Sequence, residues 1–457
     1  MEVKVLNQKS AILFLFFEGF AAIAIQFIVL RQVTPFVGSS VVVTSFVISI
    51  FLGALAVGYK KGGKIDKKHT EVLSRNLFKA ATLLGILGSY MFLTVVYMYT
   101  EKTNPIFVLI VYLLVVMSPI VYYVAQTIPI LVNSMEDKES SRKAGNALSF
   151  STIGNMFGGV ITTVVVMYYF GISWAVTITV FILFMLSLSI SENKKKTLFY
   201  IFIIFPIILI INIKYSSLMH VSESIYSNYE VVKEKNATHL LINRSFSSQL
   251  RNKDRKPYKY IERIRDIIRS HPSYSKDAKI LVIGAGGFTL NADKKLKGKI
   301  LYVDIDNKIK DIAEKYFLKE PINGKFEGID ARVFLRRYKG YFDFIVVDAY
   351  FATFSVPENL TTIEFFKGVG KKLKPHGIMV SNFVENPYLN DTYSKRIDNT
   401  IRASFFSCYT SVIEHKNPIK NVIYTCSNDL NNKRKKTDLI YRDQNNQPSI
   451  DFINSRF

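Results

Sequence analysis

The sequence predicts two folds in one chain: a multi-span helical membrane domain up to about residue 213, then an α/β domain built on a parallel sheet. Three observations carry this. Long apolar runs separated by short basic segments fill the first part. Beyond it charge is spread evenly and the apolar runs shrink to strand length. There, three strand-end signals follow runs rich in Val and Ile: Ile283-Gly284-Ala285-Gly286-Gly287, Val303-Asp304-Ile305-Asp306 and Val346-Val347-Asp348-Ala349-Tyr350. In that order they describe a parallel sheet with a nucleoside-sized site at its carboxyl edge.

Seven spans are expected, near residues 10–30, 38–59, 79–99, 105–132, 147–169, 173–190 and 197–213. Each approaches the roughly 20 apolar residues that cross about 30 Å of hydrocarbon. The first run is too long for a cleavable signal, carries Glu18 and lacks a small-residue cleavage pattern. Lys60, Lys61, Lys64, Lys67, Lys68 and Arg75 fall between spans two and three, and Lys194, Lys195 and Lys196 between six and seven. The positive-inside bias makes both loops cytoplasmic and puts the amino terminus inside. Seven spans then leave the α/β domain outside, in conflict with a cytosolic nucleoside ligand. Either one span is miscounted, at the fourth with Pro119 and Pro129 or the short seventh with Pro206, or the domain is extracytoplasmic.

Gly154 and Gly158 form a small-xxx-small pair suited to close helix packing. Glu18 needs a partner, since an ionisable group within a span costs roughly 2.5 kcal/mol or more. Gln26 and Arg31 on the same helix are the candidates. No series of paired intramembrane charges spells out a transport path.

About 244 residues remain, enough for one large α/β domain with a full core. About +15 of the formal net charge of +23 lies there. No aromatic-rich module or recognition-helix pattern points to nucleic acid, so attraction to anionic lipid headgroups of the bilayer is the plainer reading. Lys433-Arg434-Lys435-Lys436 reads as a solvated or lipid-facing run. Cys408 and Cys426 are the two cysteines, and they face each other across an antiparallel pair, Ser407 to Glu414 and Asn421 to Cys426, that turns at Asn417-Pro418. They form a disulfide if the domain is outside and two buried thiols if it is inside. No Cys/His cluster has metal-ligand spacing, so no metal is expected.

The site is read from the strand ends. Lys279 to Ile283 is a short buried strand; Gly284, Gly286 and Gly287 let backbone approach a ligand, and the next helix is expected to offer its amino terminus. About 20 residues on, Asp304 ends the second strand, where a carboxylate accepts both ribose hydroxyls. Asp330, in Gly328-Ile329-Asp330-Ala331-Arg332, is placed to accept from an adenine amino group, with Ala331 beside it. The fourth strand, Phe342 to Val347, ends in Asp348, positioned for base catalysis.

Residues 222 to about 427 resemble the spermidine synthase family, and the whole chain resembles its membrane-fused branch. The carrying stretches are Phe342 to Tyr350, Val356-Pro-Glu-Asn-Leu-Thr-Thr-Ile-Glu-Phe-Phe366 and Leu373-Lys-Pro-His-Gly-Ile-Met-Val-Ser-Asn382. They are similar to the family's strand-four Asp, Leu-x-Thr-x-Glu-Phe helix start and Gly-x-x-x-x-Asn strand five. Glu223-Ser-Ile-Tyr226 resembles its Ser-x-Tyr-Gln hairpin; Gly19-Phe20, Leu30-Arg31, Gly38-Ser-Ser and Leu52 to Gly58 look like the fused branch.

The resemblance implies a Rossmann-like, methyltransferase-type domain with a small β-hairpin region at its start. It implies aminopropyl transfer from decarboxylated S-adenosylmethionine to an amine such as putrescine, releasing methylthioadenosine. Asp348 would deprotonate the amine, Tyr226 and Tyr350 would bind it, and a homodimer is implied. The expected boundaries are 1–213 for the membrane domain, 214–250 for the hairpin segment, 251–430 for the nucleoside-binding catalytic domain and 431–457 for a polar basic tail. The protein would be a multi-pass protein of the inner or plasma membrane.

Several family positions differ. Gly287, followed by Phe288, stands where the family's glycine loop has an Asp that faces the aminopropyl end; Phe351 replaces a second carboxylate; Ser227 and Ser247 replace glutamines; Tyr-His-Glu reads Tyr260-Ile261-Glu262. A doubly charged diamine wants a carboxylate at both ends. Methyl transfer from intact S-adenosylmethionine, and a non-catalytic protein that binds a nucleoside or moves polyamine, are therefore carried as alternatives.

Overall fold

A computed structural model describes residues 8–38, 40–100, 102–134, 140–219, 222–350, 357–413, 419–428 and 437–456. Phe351, the Asn417-Pro418 turn, Glu414 and the Lys433–Lys436 run lie outside the described residues. The chain divides into two compact units, Met1–Thr34 with Val41–Ile225 and Pro35–Ser40 with Tyr226–Phe457.

The first unit is helical. Among the described residues, six helices are long and apolar enough to cross a membrane: Ser10–Val37, Val41–Gly62, Pro105–Asn133, Ala144–Phe170, Ile172–Ile190 and Lys194–Ser217. The third expected span, 79–99, is instead a pair, His69–Leu87 and Tyr90–Tyr99, bent by 56°. The break lies at Gly88-Ser89, where side chains replace the helical bonds. Ser89 Oγ donates to Ile86 O (2.7 Å) and accepts from Phe92 N (3.2 Å), while Gln32 Nε2 donates to Gly88 O (2.8 Å). Asn212 Oδ1 accepts from Tyr90 N (3.3 Å), so the freed backbone groups are satisfied inside apolar surroundings. The fourth run is one helix long enough to cross a membrane, Pro105–Asn133, despite its prolines. A π turn over Leu113–Met117, closed by Ser118 N–H to Leu113 O, comes just ahead of Pro119, which lacks the N–H a regular turn would use.

The glycine pair does pack helix on helix. A Cβ on Gly154 would come within 2.0 Å of Phe16 O, and one on Gly158 within 2.7 Å of Phe20 Cα. At the same crossing Glu18 accepts from Ser151 Oγ (2.8 Å), so its partner is across the interface rather than Gln26 or Arg31 on its own helix. The last apolar helix runs past residue 213 and is followed by a two-residue strand, β1 (Ser222–Glu223). Glu223 caps the start of the Ile172–Ile190 helix, accepting from Ser173 N (3.2 Å) and Ser173 Oγ (2.8 Å), which suits the positive end of a helix dipole. The units therefore part at Ile225 and Tyr226, not at 213.

The second unit opens with an antiparallel meander of β2 (Asn228–Lys233), β3 (Ala237–Ile242) and β4 (Ser245–Arg251). β3 and β4 are joined by Asn243-Arg244, both with φ above zero, the geometry of a tight two-residue hairpin. Then follow β5 (Lys279–Ile283), β6 (Lys299–Asp304), β7 (Lys325–Gly328), β8 (Phe342–Val347), β9 (Leu373–Glu385), β10 (Ser407–Ile413) and β11 (Lys420–Ser427). They form one sheet in the order β10-β11-β9-β8-β5-β6-β7, with β7 through β9 parallel and β11 and β10 antiparallel. This is the Rossmann-like sheet the sequence predicted. Ile280 to Ile283 and Phe344 to Val347 are all buried, as central parallel strands covered on both faces must be. The order reverses between β5 and β8, and the crevice beyond their carboxyl ends is where such sheets bind ligands. Cys408 and Cys426 are register partners in β10 and β11 and are joined by a disulfide.

Two expectations fail here. No regular helix follows the glycine turn; only a single 3₁₀ turn, Thr289–Asn291, is present. Arg265 takes the carbonyls a helix would use, donating to Leu290 O and Thr289 O at 2.7 Å each, and the Asn291 side chain bonds Leu296 N (2.9 Å) and O (3.0 Å). Residues 437–456 are also not a tail. Tyr441 and Phe452 are fully buried, Phe452 against Tyr393 with ring centroids 4.8 Å apart, and Ile363 N donates to Tyr441 O (3.0 Å). The polar composition hid a few buried aromatics that dock the segment.

Candidate active site

Asp348 is the first residue after β8, and its N–H donates to Ile283 O (2.9 Å) at the end of β5. Gly284 makes this approach feasible: at φ +88° a Cβ would lie 2.3 Å from Asp348 O. The two central strand ends are thus clamped together. The Asp348 carboxylate is held on both oxygens, Oδ1 accepting from Asn382 Nδ2 (3.0 Å) and Oδ2 from Tyr260 OH (3.0 Å). Removal from water pushes the carboxyl above its ordinary value, and those two hydrogen bonds pull against the shift. The same burial, with the Asp348 charge beside it, raises the Tyr260 phenol well above its ordinary range, so it stays a donor. Asn382 Oδ1 is buried and has no partner among the described residues. It is an acceptor beside the carboxylate, suited to an incoming N–H.

Tyr350 lies two residues on and accepts from Val384 N (2.7 Å) through its hydroxyl. Burial raises its phenol too. Tyr226 is half-buried at the start of the second unit.

Asp304 closes β6, with Oδ2 accepting from Ala285 N (2.9 Å) and Oδ1 from Asp306 N (3.0 Å). Burial pushes its carboxyl up to about 6 against those backbone bonds. Neighbouring Asp306 accepts from Tyr229 OH (2.5 Å), tying the meander to this strand end. Ile329 N donates to Asp304 O (2.8 Å), which carries the next residues alongside. Asp330 caps the helix Ala331–Arg337, Oδ1 accepting from Val333 N (3.0 Å), while Oδ2 accepts from Asn359 Nδ2 (3.3 Å). Ala331 is buried at the first helical position, whose N–H the helix itself cannot use.

In the glycine loop Gly286 has φ +47°, and Gly287 N donates to Ser248 Oγ (2.8 Å). A Cβ on Gly287 would meet Phe317 Cε1 at 2.5 Å and Ser248 Cβ at 2.8 Å. The place an acidic side chain would need is filled by Phe317 and Ser248. A group of three His, Cys, Asp or Glu able to hold a metal is absent among the described residues.

The structure thus groups Asp348, Tyr350 and Gly284 at one strand junction and Asp304, Asp330 and Ala331 at the next, with Gly286 and Gly287 against β4. Sequence reasoning missed Tyr260 and Asn382 as site residues. Both stood in quoted motifs, Tyr260 in a stretch that read as a departure and Asn382 as the end of strand five; only the pairing with Asp348 gives them a role.

A probable polyamine aminopropyl transferase of Bifidobacterium longum is 31% identical over 174 residues, 36% of this chain and 37% of that protein. Polyamine aminopropyltransferase 2 of Aquifex aeolicus is 27% identical over 145 residues, 30% of this chain and 29% of that protein. The chain thus spans about a third of the length of these curated relatives. Among solved structures, a probable spermidine synthase from Corynebacterium glutamicum aligns with TM-score 0.38 and 21% identity over 45% of this chain and 78% of its own. Spermidine synthase from Thermotoga maritima aligns with TM-score 0.37 and 15% identity over 50% and 82%. Residues 263–436 match the family model described as the spermine/spermidine synthase domain.

Proposed function

We propose that the chain is a membrane-anchored aminopropyltransferase, with decarboxylated S-adenosylmethionine as donor and an amine as acceptor. The observation that carries it is Asp348, a carboxylate at the carboxyl end of a central strand, fixed by Tyr260 and Asn382. A primary ammonium has a pKa near 10.4 if it behaves like lysine, so the attacking nitrogen must lose a proton. Asp348 takes that proton as the nitrogen bonds the carbon beside the sulfonium. The carbon–sulfur bond breaks, its electron pair stays on sulfur, and methylthioadenosine leaves. Asn382 Oδ1 is available to orient a second N–H of the same amine.

The donor residues fit a nucleoside. Asp304, between two backbone donors, retains lone pairs for ribose hydroxyls, and Asp330 for an adenine amino group. The apolar helices of the first unit would anchor the protein in the bilayer, with the basic surface near anionic headgroups.

Methyl transfer is a second reading, favoured by the closed position at Gly287. With Phe317 and Ser248 there, no loop carboxylate awaits a donor's free amine, and intact S-adenosylmethionine meets no added negative charge. Calorimetric binding of the detergent-solubilised chain to decarboxylated and to intact S-adenosylmethionine separates the two. Preference for the decarboxylated form supports aminopropyl transfer; preference for the intact form overturns it.

A further inference from the structure

Residues 437–456 lie beyond the stretch matching the synthase domain, yet they reach the nucleobase end of the site. Arg442 and Asn445 close a tight turn, Asn445 N donating to Arg442 O (3.0 Å) and Arg442 N to Asn445 O (3.3 Å). The turn presents Asp443, whose Oδ1 accepts from Arg332 Nη2 (2.6 Å) and Thr362 Oγ1 (2.7 Å), while its N–H donates to Glu364 Oε2 (3.1 Å). Arg332 is the second residue of the helix that Asp330 caps, and Thr362 caps the helix Ile363–Gly370. One residue past the turn, Asn446 donates to Glu358 O and accepts from Thr361 Oγ1 (3.3 Å).

The segment therefore holds both ends of the loop 357–362, and that loop carries Asn359, the donor to Asp330 Oδ2. The turn is itself anchored. Tyr441 N donates to Thr400 Oγ1 (2.9 Å), its hydroxyl to Asp451 Oδ2 (2.8 Å), and Asp451 also pairs with Arg396 (2.7 Å). Because the helix cap fixes Asp330 Oδ1, the placement of Asn359 decides where Oδ2 and its free lone pair aim.

We propose that the Arg442–Asn446 turn is a positioning latch for the nucleobase end of the donor site. Through Asn359 it sets the aim of the Asp330 carboxylate, and so the preference for a 6-amino over a 6-oxo purine nucleoside. This rests on the reading of Asp330 as the base contact. Asp443 is a positioning residue: it touches the loop and the helix, not the ligand.

The test uses the full chain in detergent, with methylthioadenosine and methylthioinosine as probes. Asp443→Ala lies at a half-exposed side chain and leaves the core intact. Its affinity ratio for the two nucleosides should fall roughly three- to tenfold, the worth of a lost hydrogen bond, with the donor's KM rising and kcat holding. Asp443→Asn keeps an acceptor at Oδ1 and should retain most of the ratio. An unchanged ratio in Asp443→Ala, or equal weakening toward both nucleosides, overturns the latch. A wild-type chain with no preference between them instead removes Asp330 as the base contact, and the latch falls with it.

Discussion

Asp348→Asn removes the charge at the junction of β8 and β5 while the structure supplies a way to keep every neighbouring bond. The new amide oxygen can stay opposite Tyr260 OH, which continues to donate, and the new NH2 then faces Asn382. Asn382 has a buried Oδ1 with no partner among the described residues, so turning its amide over presents that oxygen as an acceptor. Folding stability and nucleoside affinity should therefore hardly change. Turnover should fall by about 10² to 10⁴, the usual range for a lost general base, or about 2.7–5.4 kcal/mol in barrier height at 1.36 kcal/mol per factor of ten. The assay is release of methylthioadenosine by the full chain with decarboxylated S-adenosylmethionine and an amine, beside calorimetric binding of methylthioadenosine. A variant within about threefold of wild-type turnover would refute Asp348 as the base. The companion variant Tyr260→Phe tests the same arrangement through pH. That hydrogen bond stabilises the carboxylate, so its loss should move the acid limb of the rate profile to higher pH; movement the other way contradicts the geometry.

Other outcomes follow from neighbouring sites. Asp304 sits at about 6 when folded against an ordinary 3.8, so its contribution to stability is present below about pH 4 and lost as pH rises through about 6, while ribose binding needs the ionised form. Nucleoside affinity should accordingly rise across about pH 6 and lose that step in Asp304→Ala, which should also weaken binding roughly tenfold or more; a flat wild-type profile would misplace the ribose. Tyr441→Ala should cost about 3–5 kcal/mol in urea unfolding of the α/β unit, and a loss below about 1 kcal/mol would show that residues 437–456 are no part of its core. Thiol titration of the denatured chain should find no reactive cysteine before reduction and both after it. The 18-residue separation makes that bond worth roughly 3 kcal/mol, and two thiols reactive without reductant would place the domain in a reducing compartment.

The strands were legible in the sequence because central parallel strands are short, continuous apolar runs that end where the backbone must open. Lys279–Ile283 and Phe342–Val347 were bounded to the residue on that basis. Asp304, Asp330 and Asp348 were legible for the same reason: in a doubly wound sheet, position at a strand's carboxyl end already implies position in the crevice. The fourth, fifth and sixth apolar runs showed their length by composition alone, and Gly154 and Gly158 showed their packing face by spacing.

Tertiary structure decided what depends on partners distant in sequence. The third apolar run breaks at Gly88-Ser89 because Gln32 and Asn212 take its backbone groups, and the segment after Gly287 is not a helix because Arg265 and Asn291 take its carbonyl and amide groups. Tyr260 and Asn382 became site residues only when two hydrogen bonds, spanning 88 and 34 residues, brought them to one carboxylate. Residues 437–456 looked like a tail because their polar majority outweighs Tyr441 and Phe452, yet burying those two rings docks the segment against the sheet's helices. Local periodicity and position at strand ends are written in neighbouring residues; which side chain satisfies which buried backbone group or charge is settled only when the folded chain leaves each of them a single partner within reach.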